Sequence, residues 1–328
     1  MHSIAPVLRN LASRPARPAG DSHGSLDAEE AAALWGAVLD GALPELELGA
    51  LLASFVLAGE TPAEILGLHR ALAARQARFA PAPGRRAIAI PLYGLVPGEA
   101  AYAVLLALFL RRFEVPVALH GTLDARDGPS GPMLLREMGV LPATSLADAE
   151  RGLREDGVAF VPVQLLSPAL GDLVALRTRL GGTNTAHLAA HALDPGGMGA
   201  VRLAMGVAGA RSARIEAILP ATGARSLYLA WPASAAGCNY ALRPRITLWS
   251  EGAESVVFEA EHGERTAAAC VPEGGQLVAW MRSVIERRAP APPPLVNLAA
   301  ACVHATGAAP DFTQAKAIVS LQAGRLAA

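Results

Sequence analysis

Gly59-Glu60-Thr61-Pro62-Ala63-Glu64-Ile65-Leu66-Gly67 reads as the end of one helix and the start of the next. The glycine stops the first helix. Thr61 then offers a side-chain oxygen to the new helix end, and Pro62 suits the first turn, where its missing N–H is not needed. Upstream, residues 48–57 are apolar on nearly every side and are expected to be a buried helix. Before that helix, Ser25-Leu26-Asp27-Ala28-Glu29-Glu30 carries cap chemistry, with Ser25 or Asp27 as the cap and acids in the first turn. Ala31, Leu34, Val38 and Leu39 follow at helical spacing until Gly41 and Pro44 end the run. Downstream, Ile65, Leu68, His69 and Leu72 line one face of a third helix. Residues 25–79 therefore read as a small all-helical unit.

A linker, Pro81-Ala82-Pro83-Gly84, separates this unit from sequence of another kind. Residues 87–90, 115–119, 158–163 and 226–231 are short, continuously apolar runs rich in Ile, Val, Leu and Ala. Helical stretches lie between them, one of them over residues 99–112. Such alternation predicts a mostly parallel sheet covered on both faces. Residues 246–249 and 255–258 read as shorter alternating strands. A helix follows over 275–288, then a proline-rich run at 290–294, and two helices over 295–305 and 312–326 close the chain. The fold class is α/β, a small N-terminal helical domain joined to a large domain with a mostly parallel central sheet.

The 328 residues are 52% hydrophobic and 17% charged, ample for a core, and the net charge is −1. That balance excludes global attraction to nucleic acid or an anionic membrane, so any such affinity must come from a local patch. Lys316 is the single lysine among 28 basic residues. Cys238, Cys270 and Cys302 are far apart and in no metal-binding spacing, which suits reduced thiols in a cytoplasmic protein. The longest apolar run, residues 100–110, is too short to span a bilayer, so no membrane partner is expected. Residues 1–24 hold Arg9, Arg14 and Arg17 with few other signals and read as a loose basic arm.

Several segments, in order, resemble the anthranilate phosphoribosyltransferase family of glycosyltransferase family 3. Residues 59–67 resemble its G-E-T-x-x-E-x-x-G signature, and residues 115–121, ending in His120-Gly121, sit where it has a strand ending in K-H-G-N-R. Leu134, Leu135, Met138, Gly139 and Val140 resemble its L-x-x-L-G-V helix end. Ser167-Pro168-Ala169 stands at its H-P-A, and Arg177-Thr178-Arg179-Leu180-Gly181 resembles R-x-x-L-G. Asn297-Leu298-Ala299-Ala300 and Ile318-Val319-Ser320 resemble its closing helices. The resemblance implies a helical domain over 25–80, on which helices from about 170–193 pack, and an α/β domain over 86–169 and 196–328. It also implies a homodimer formed through the helical domain, a cleft for phosphoribosyl pyrophosphate, and bound Mg²⁺.

The residues for that chemistry are missing. A pyrophosphate needs a glycine-rich loop whose backbone N–H groups reach its oxygens. In place of the family's G-T-G-G-D, the chain has Pro91-Leu92-Tyr93-Gly94-Leu95-Val96-Pro97-Gly98-Glu99. Prolines remove donors there, and Leu92 and Tyr93 add bulk. Ala100, Ala101 and Tyr102 stand where N-x-S-T is expected, and Leu119 replaces the lysine of K-H-G-N-R. Residues 232–239 contain no carboxylate where an Asp-Glu pair would hold Mg²⁺. Gly182-Thr183-Asn184 replaces the anthranilate-binding arginine. No metal or other cofactor is therefore expected, and standard activity is not. Tyr93, Gly94, His120, Gly121, Asn184 and His187 remain as cleft candidates. His187 and His191, four apart on one helix face, read as packing residues, because no third metal ligand is evident.

Residues 180–188 and the strand end Ile90-Pro91-Leu92-Tyr93 resemble a diverged, YbiB-type branch. Its members are regarded as nucleic-acid-binding dimers, which implies DNA or RNA as a partner. Arg202, Arg211, Arg214, Arg243 and Arg245, with Arg225, fall in residues 201–250 against one acid, Glu216, and Tyr228, Trp231, Tyr240 and Trp249 lie among them. Arginine binds phosphate well and aromatic rings stack on bases. The expected function is a non-catalytic homodimer that binds nucleic acid without sequence preference. The alternative is a divergent glycosyl or phosphoribosyl transferase of altered substrate, which would need Mg²⁺ held by Asp124, Asp127 or Glu99.

Overall fold

The computed structural model describes residues 4–14, 24–80, 86–93, 95, 97–123, 130–207, 210–231, 242–262 and 275–323. The helical unit is built from α1 (Ala5–Ala12), α2 (Ala28–Leu39), α3 (Glu45–Ala58) and α4 (Pro62–Ala73). Asp27 caps α2 and Thr61 caps α4. In each case the third helical residue, Glu30 or Glu64, bonds back to the cap N–H, completing a capping box. Helices α2 and α4 pack tightly at Gly67, where an added Cβ would lie 2.5 Å from Ala31 Cβ and 2.7 Å from the Ala32 nitrogen. Trp35 stacks on Phe55 in the core of this unit, with ring centroids 5.4 Å apart.

Two expectations for the N-terminal region are corrected. Residues 5–12 form a helix rather than a loose arm, and Arg14 is buried against Glu64, which also receives the Leu26 N–H. An ion pair this deep compensates two desolvated charges and ties the N-terminus to α4. The apolar helix α3 is buried on one side only. Leu51, Leu52 and Phe55 face the core, whereas Leu46, Val56 and Leu57 are 81%, 53% and 75% exposed.

The large domain holds β1 (Ala87–Pro91), α5 (Pro97–Leu110), β2 (Val117–Gly121), α6 (Gly131–Glu137), α7 (Leu146–Glu155) and β3 (Val158–Pro162). Four short helices return to the helical unit: α8 (Val163–Leu166), α9 (Pro168–Ala175), α10 (Arg177–Leu180) and α11 (Thr185–Ala190). The chain continues through β4 (Ala200–Val207), α12 (Ala210–Thr222), β5 (Ser226–Trp231), β6 (Leu242–Arg243), β7 (Ile246–Ser250), β8 (Ala253–Phe258) and β9 (Glu261–His262). It ends in α13 (Gln276–Ile285), α14 (Pro293–Ala305) and α15 (Phe312–Gln322).

The main sheet has the order β3-β2-β1-β4-β5-β7-β8. Its first five strands run parallel, and β7 and β8 add an antiparallel edge. Helix α5 is buried all round beneath the parallel strands, which explains its apolar sequence. The central strand β4 went unread because Arg202 interrupts its apolar run. The thiol of Cys302 is buried in α14, and burial pushes its pKa up, so it stays protonated. No helix among the described residues is long and apolar enough to cross a membrane.

Candidate functional site

The carboxyl ends of parallel strands are where an open α/β sheet binds ligands, and here that corner is filled. The Leu92 N–H donates to the His120 carbonyl at 2.8 Å, extending the pairing of β1 with β2 by one residue. Its side chain then lies on two glycines. A Cβ on Gly121 would come within 3.1 Å of Leu92 Cβ, and one on Gly131 within 2.6 Å of Leu92 Cδ1. An apolar side chain thus fills the space between the ends of β1 and β2 and the start of α6. Burying it contributes about 2 kcal/mol of stability, which an open loop would forgo. Gly94 lies outside the described residues.

Tyr93 and His120 face each other instead of a ligand. The tyrosine hydroxyl is 3.1 Å from His120 Nδ1, and the rings meet edge-on with centroids 5.4 Å apart. Both side chains are buried, His120 to 0% exposure. Burial raises the Tyr93 pKa well above its usual value, so the phenol keeps its proton and donates it. Burial, and then the neighbouring His191, push His120 down to about 3, so its ring is neutral. The hydrogen bond assigns the remaining ring proton to Nε2, which has no partner among the described residues. His191 donates from Nε2 to the Tyr93 carbonyl at 2.7 Å. It is the unforeseen member of this cluster, and its four-residue spacing from His187 was the available signal.

Asn184 and His187 build a helix end. The Asn184 side chain accepts the Ala186 N–H at 3.0 Å and donates to the Leu173 carbonyl at 2.8 Å, while His187 Nδ1 accepts the Asn184 N–H at 3.2 Å. This is a capping box with histidine in the role usually played by glutamate. Both residues are buried. Next to them the Thr185 hydroxyl donates to Glu60 Oε1 at 2.7 Å, and Arg214 donates to Glu60 Oε2 at 2.7 Å. Glu60 therefore joins the hinge to α11 and α12.

Most of the proposed phosphate-binding arginines are engaged within the fold, which corrects their reading as a free cationic surface. Arg202 is 3% exposed in β4 and is held by the Ala192 carbonyl at 3.0 Å, Ser226 Oγ at 3.2 Å and the Thr222 hydroxyl. Arg214 is bound to Glu60. Arg243 pairs with Glu261 at 2.6 Å, and Arg245 with Glu254 at 3.3 Å and Glu259 at 3.7 Å. Strands β8 and β9 bring Glu254, Glu259 and Glu261 back onto these arginines, which a count along the chain could not show. The side chain of Arg211 lies outside the described residues, as do those of Trp231 and Tyr240. Of the aromatic residues put forward for base stacking, Tyr228 is buried and Trp249 half-buried.

A Mg²⁺–pyrophosphate group does not fit what surrounds this corner. Leu92 fills its place, the buried imidazole is neutral, and Leu119 supplies no charge. Among the described residues no group of three or more His, Cys, Asp or Glu is placed to hold a metal. Glu99 is buried in the first turn of α5, and Asp124 and Asp127 lie outside the described residues.

The helical domain of a glycosyl transferase family matches residues 19–75. The anthranilate phosphoribosyltransferase of Thermus thermophilus superposes with a TM-score of 0.75 at 20% identity, covering 97% of this chain and 94% of that one. A helical bundle hinged to this mostly parallel sheet thus defines a protein with the phosphoribosyltransferase fold of glycosyltransferase family 3. An uncharacterized protein of Escherichia coli, YbiB, is 27% identical over 92% of this chain and 95% of its own length. The anthranilate phosphoribosyltransferase of Methylobacterium radiotolerans is 30% identical, but over 53% of this chain and 50% of its own length. The chain is similar in fold and sequence to the anthranilate phosphoribosyltransferases and, over nearly its whole length, to YbiB.

Proposed function

We propose that this protein is a non-catalytic member of its family, a homodimer that binds nucleic acid through arginine–phosphate contacts. The observation that carries the reading is the closed corner at the end of β1. Leu92 sits on Gly121 and Gly131, and the neighbouring polar groups are spent on one another. A site filled by its own side chains stabilises the fold and leaves no room for transition-state charge. The positive part of the proposal draws on the YbiB-type resemblance and on the arginine-rich composition. Dimerisation is proposed through the exposed apolar side of α3.

With a net charge of −1, affinity must come from a few clustered cations, so binding should be steeply salt-dependent. The test is a titration of the full chain with labelled single- and double-stranded DNA of unrelated sequences at several salt concentrations. Binding that weakens with salt and ignores sequence supports the reading. Absence of binding at low salt, or affinity insensitive to salt, overturns it.

A further inference from the structure

Pairing within the fold removes Arg202, Arg214, Arg243 and Arg245 from the supply of free cations, but another set of arginines remains. Arg70 in the last turn of α4, Arg78 just after it, and Arg86 just before β1 are all exposed. None has an ion-pair partner among the described residues. They lie close together in sequence, and the fold brings Arg225 to the same edge.

The Phe79 N–H donates to the Pro195 carbonyl at 3.0 Å, which lays the segment after α4 along the turn at residues 194–199. There the side chain of Arg78 crosses Gly197, where an added Cβ would be 3.4 Å from Arg78 Cδ. The register Ala87↔Ala200 places Arg86 beside the end of the same turn. The Arg202 N–H donates to the Arg225 carbonyl at 3.0 Å and so brings Arg225 to this edge, where Ala305 O and Ser250 Oγ hold its guanidinium at 2.8 Å each. Arg70 and Arg78 both help keep His69 neutral, after burial and Arg202, and Arg86 acts on Arg225 in the same sense.

Three acids lie nearby, and none forms an ion pair with Arg70, Arg78 or Arg86 among the described residues. Asp194 lies between Arg202 and Arg78, and burial raises its pKa. Glu150 is engaged by the Ala80 N–H at 2.7 Å, and Glu251 faces Arg225. The result is an arginine strip along the amino-terminal edge of β1, β4 and β5, on the edge of the sheet away from the Leu92 corner. Planar guanidinium groups spaced along an edge suit repeated phosphates better than a single small anion.

We propose that the phosphodiester backbone of a nucleic acid runs along this strip, in contact with Arg70, Arg78, Arg86 and Arg225. The assignment rests on the nucleic-acid reading above, keeps Arg225 from the cluster at residues 201–250, and replaces Arg202, Arg214, Arg243 and Arg245 as the binding surface.

The experiment is an anisotropy titration of the full chain with a fluorescein-labelled single strand of about 20 nucleotides, at salt from about 50 to about 200 mM. Three variants are compared with the parent chain: R70Q/R78Q/R86Q, R70K/R78K/R86K and R243Q/R245Q. Each neutralised phosphate adds about 0.7 to the log–log salt slope on a single strand, so the glutamine triple variant should lose about 2 from that slope and bind about tenfold or more weakly. The lysine triple variant should keep the slope, which shows that charge and not misfolding is responsible. The R243Q/R245Q variant, which removes arginines already paired with glutamates, should bind within about twofold of the parent chain. If the parent binds and the glutamine triple variant keeps its affinity and slope, the strip is wrong while the nucleic-acid reading stands. Equal losses in R70Q/R78Q/R86Q and R243Q/R245Q would also overturn the strip, by showing a diffuse charge effect. If the parent chain itself does not bind, the functional reading fails and takes the strip with it.

Discussion

His120 shows what happens to a polar residue when the ligand site around it closes. Its ring is buried between Tyr93 and His191 and is pushed down to about 3, and His69, half-buried and near Arg202, is pushed down to about 4. Both lie below the value of about 6.5 expected in an unfolded chain. A base depressed by folding binds fewer protons in the native state, so acidification favours unfolding. The stability that each contributes is intact above pH ~6.5 and is lost as the pH falls from there toward the folded values, by up to about 1.4 kcal/mol per pH unit. Urea midpoints measured from pH 7 to pH 4 should fall accordingly. His120→Gln should be less stable at pH 7, having lost the Tyr93 bond, yet its pH slope should be shallower by about the share of one histidine. An unchanged slope would mean that the imidazole is already charged in the fold. That Leu92 and Tyr93 add bulk at the end of β1 was legible from the residue types alone. Their inward packing was not legible, since it depends on Gly121 and Gly131 lying opposite Leu92.

Helix ends were the most readable elements, because a cap is local chemistry. Asp27 with Glu30 and Thr61 with Glu64 form the boxes that their spacing announces. Strand β4 was hidden by the opposite circumstance, as Arg202 breaks its apolar pattern and is satisfied only by groups on neighbouring elements. Two expectations belong to this scale. Gly67 lets α2 and α4 touch through their backbones, and a methyl group there would meet the Ala32 nitrogen at 2.7 Å and the Ala28 carbonyl at 2.8 Å. Backbone cannot swing aside as a flexible side chain can, so Gly67→Ala should cost about 2–3 kcal/mol or more in chemical denaturation. A neutral effect would show that the two helices slide apart freely. On α3, Leu46, Ala53, Val56 and Leu57 share one exposed stripe at helical spacing, and Gly49 within it has open space beyond its Cα. A stripe of this kind on a folded domain calls for a partner surface. We expect the chain to sediment as a dimer and Leu57→Glu to shift it to monomer with its secondary structure retained. A parent chain that stays monomeric at every concentration would exclude α3 as the interface.

Over the whole molecule, side chains from distant elements converge on the residues before α4 and after β1. Glu60 at the hinge is held by Thr185 and Arg214 from two other helices, and His191 reaches from the end of α11 to the carbonyl of Tyr93. Phosphoribosyl transfer asks for stabilisation of developing charge by pre-placed donors, cations and metal, and loss of one such stabiliser commonly costs about 10²-fold or more in rate. Here the glycine loop is replaced by a buried leucine, the strand-end lysine by Leu119, and residues 232–239 carry no carboxylate. These losses act at separate points on the same transition state, so their combined effect should leave no transfer to anthranilate measurable above background. Ligand binding provides a second readout that does not depend on turnover. A ligand that binds the native state at 100 times its Kd raises stability by about 2.7 kcal/mol, so phosphoribosyl pyrophosphate with Mg²⁺ would lift the thermal midpoint if it occupied the corner. We expect no shift with that pair. We expect an upward shift at low salt with single-stranded DNA, and we expect it to disappear as salt is added. A midpoint raised by phosphoribosyl pyrophosphate would mean that Leu92 swings out of the corner, and the chain would then have to be read as a transferase of altered substrate.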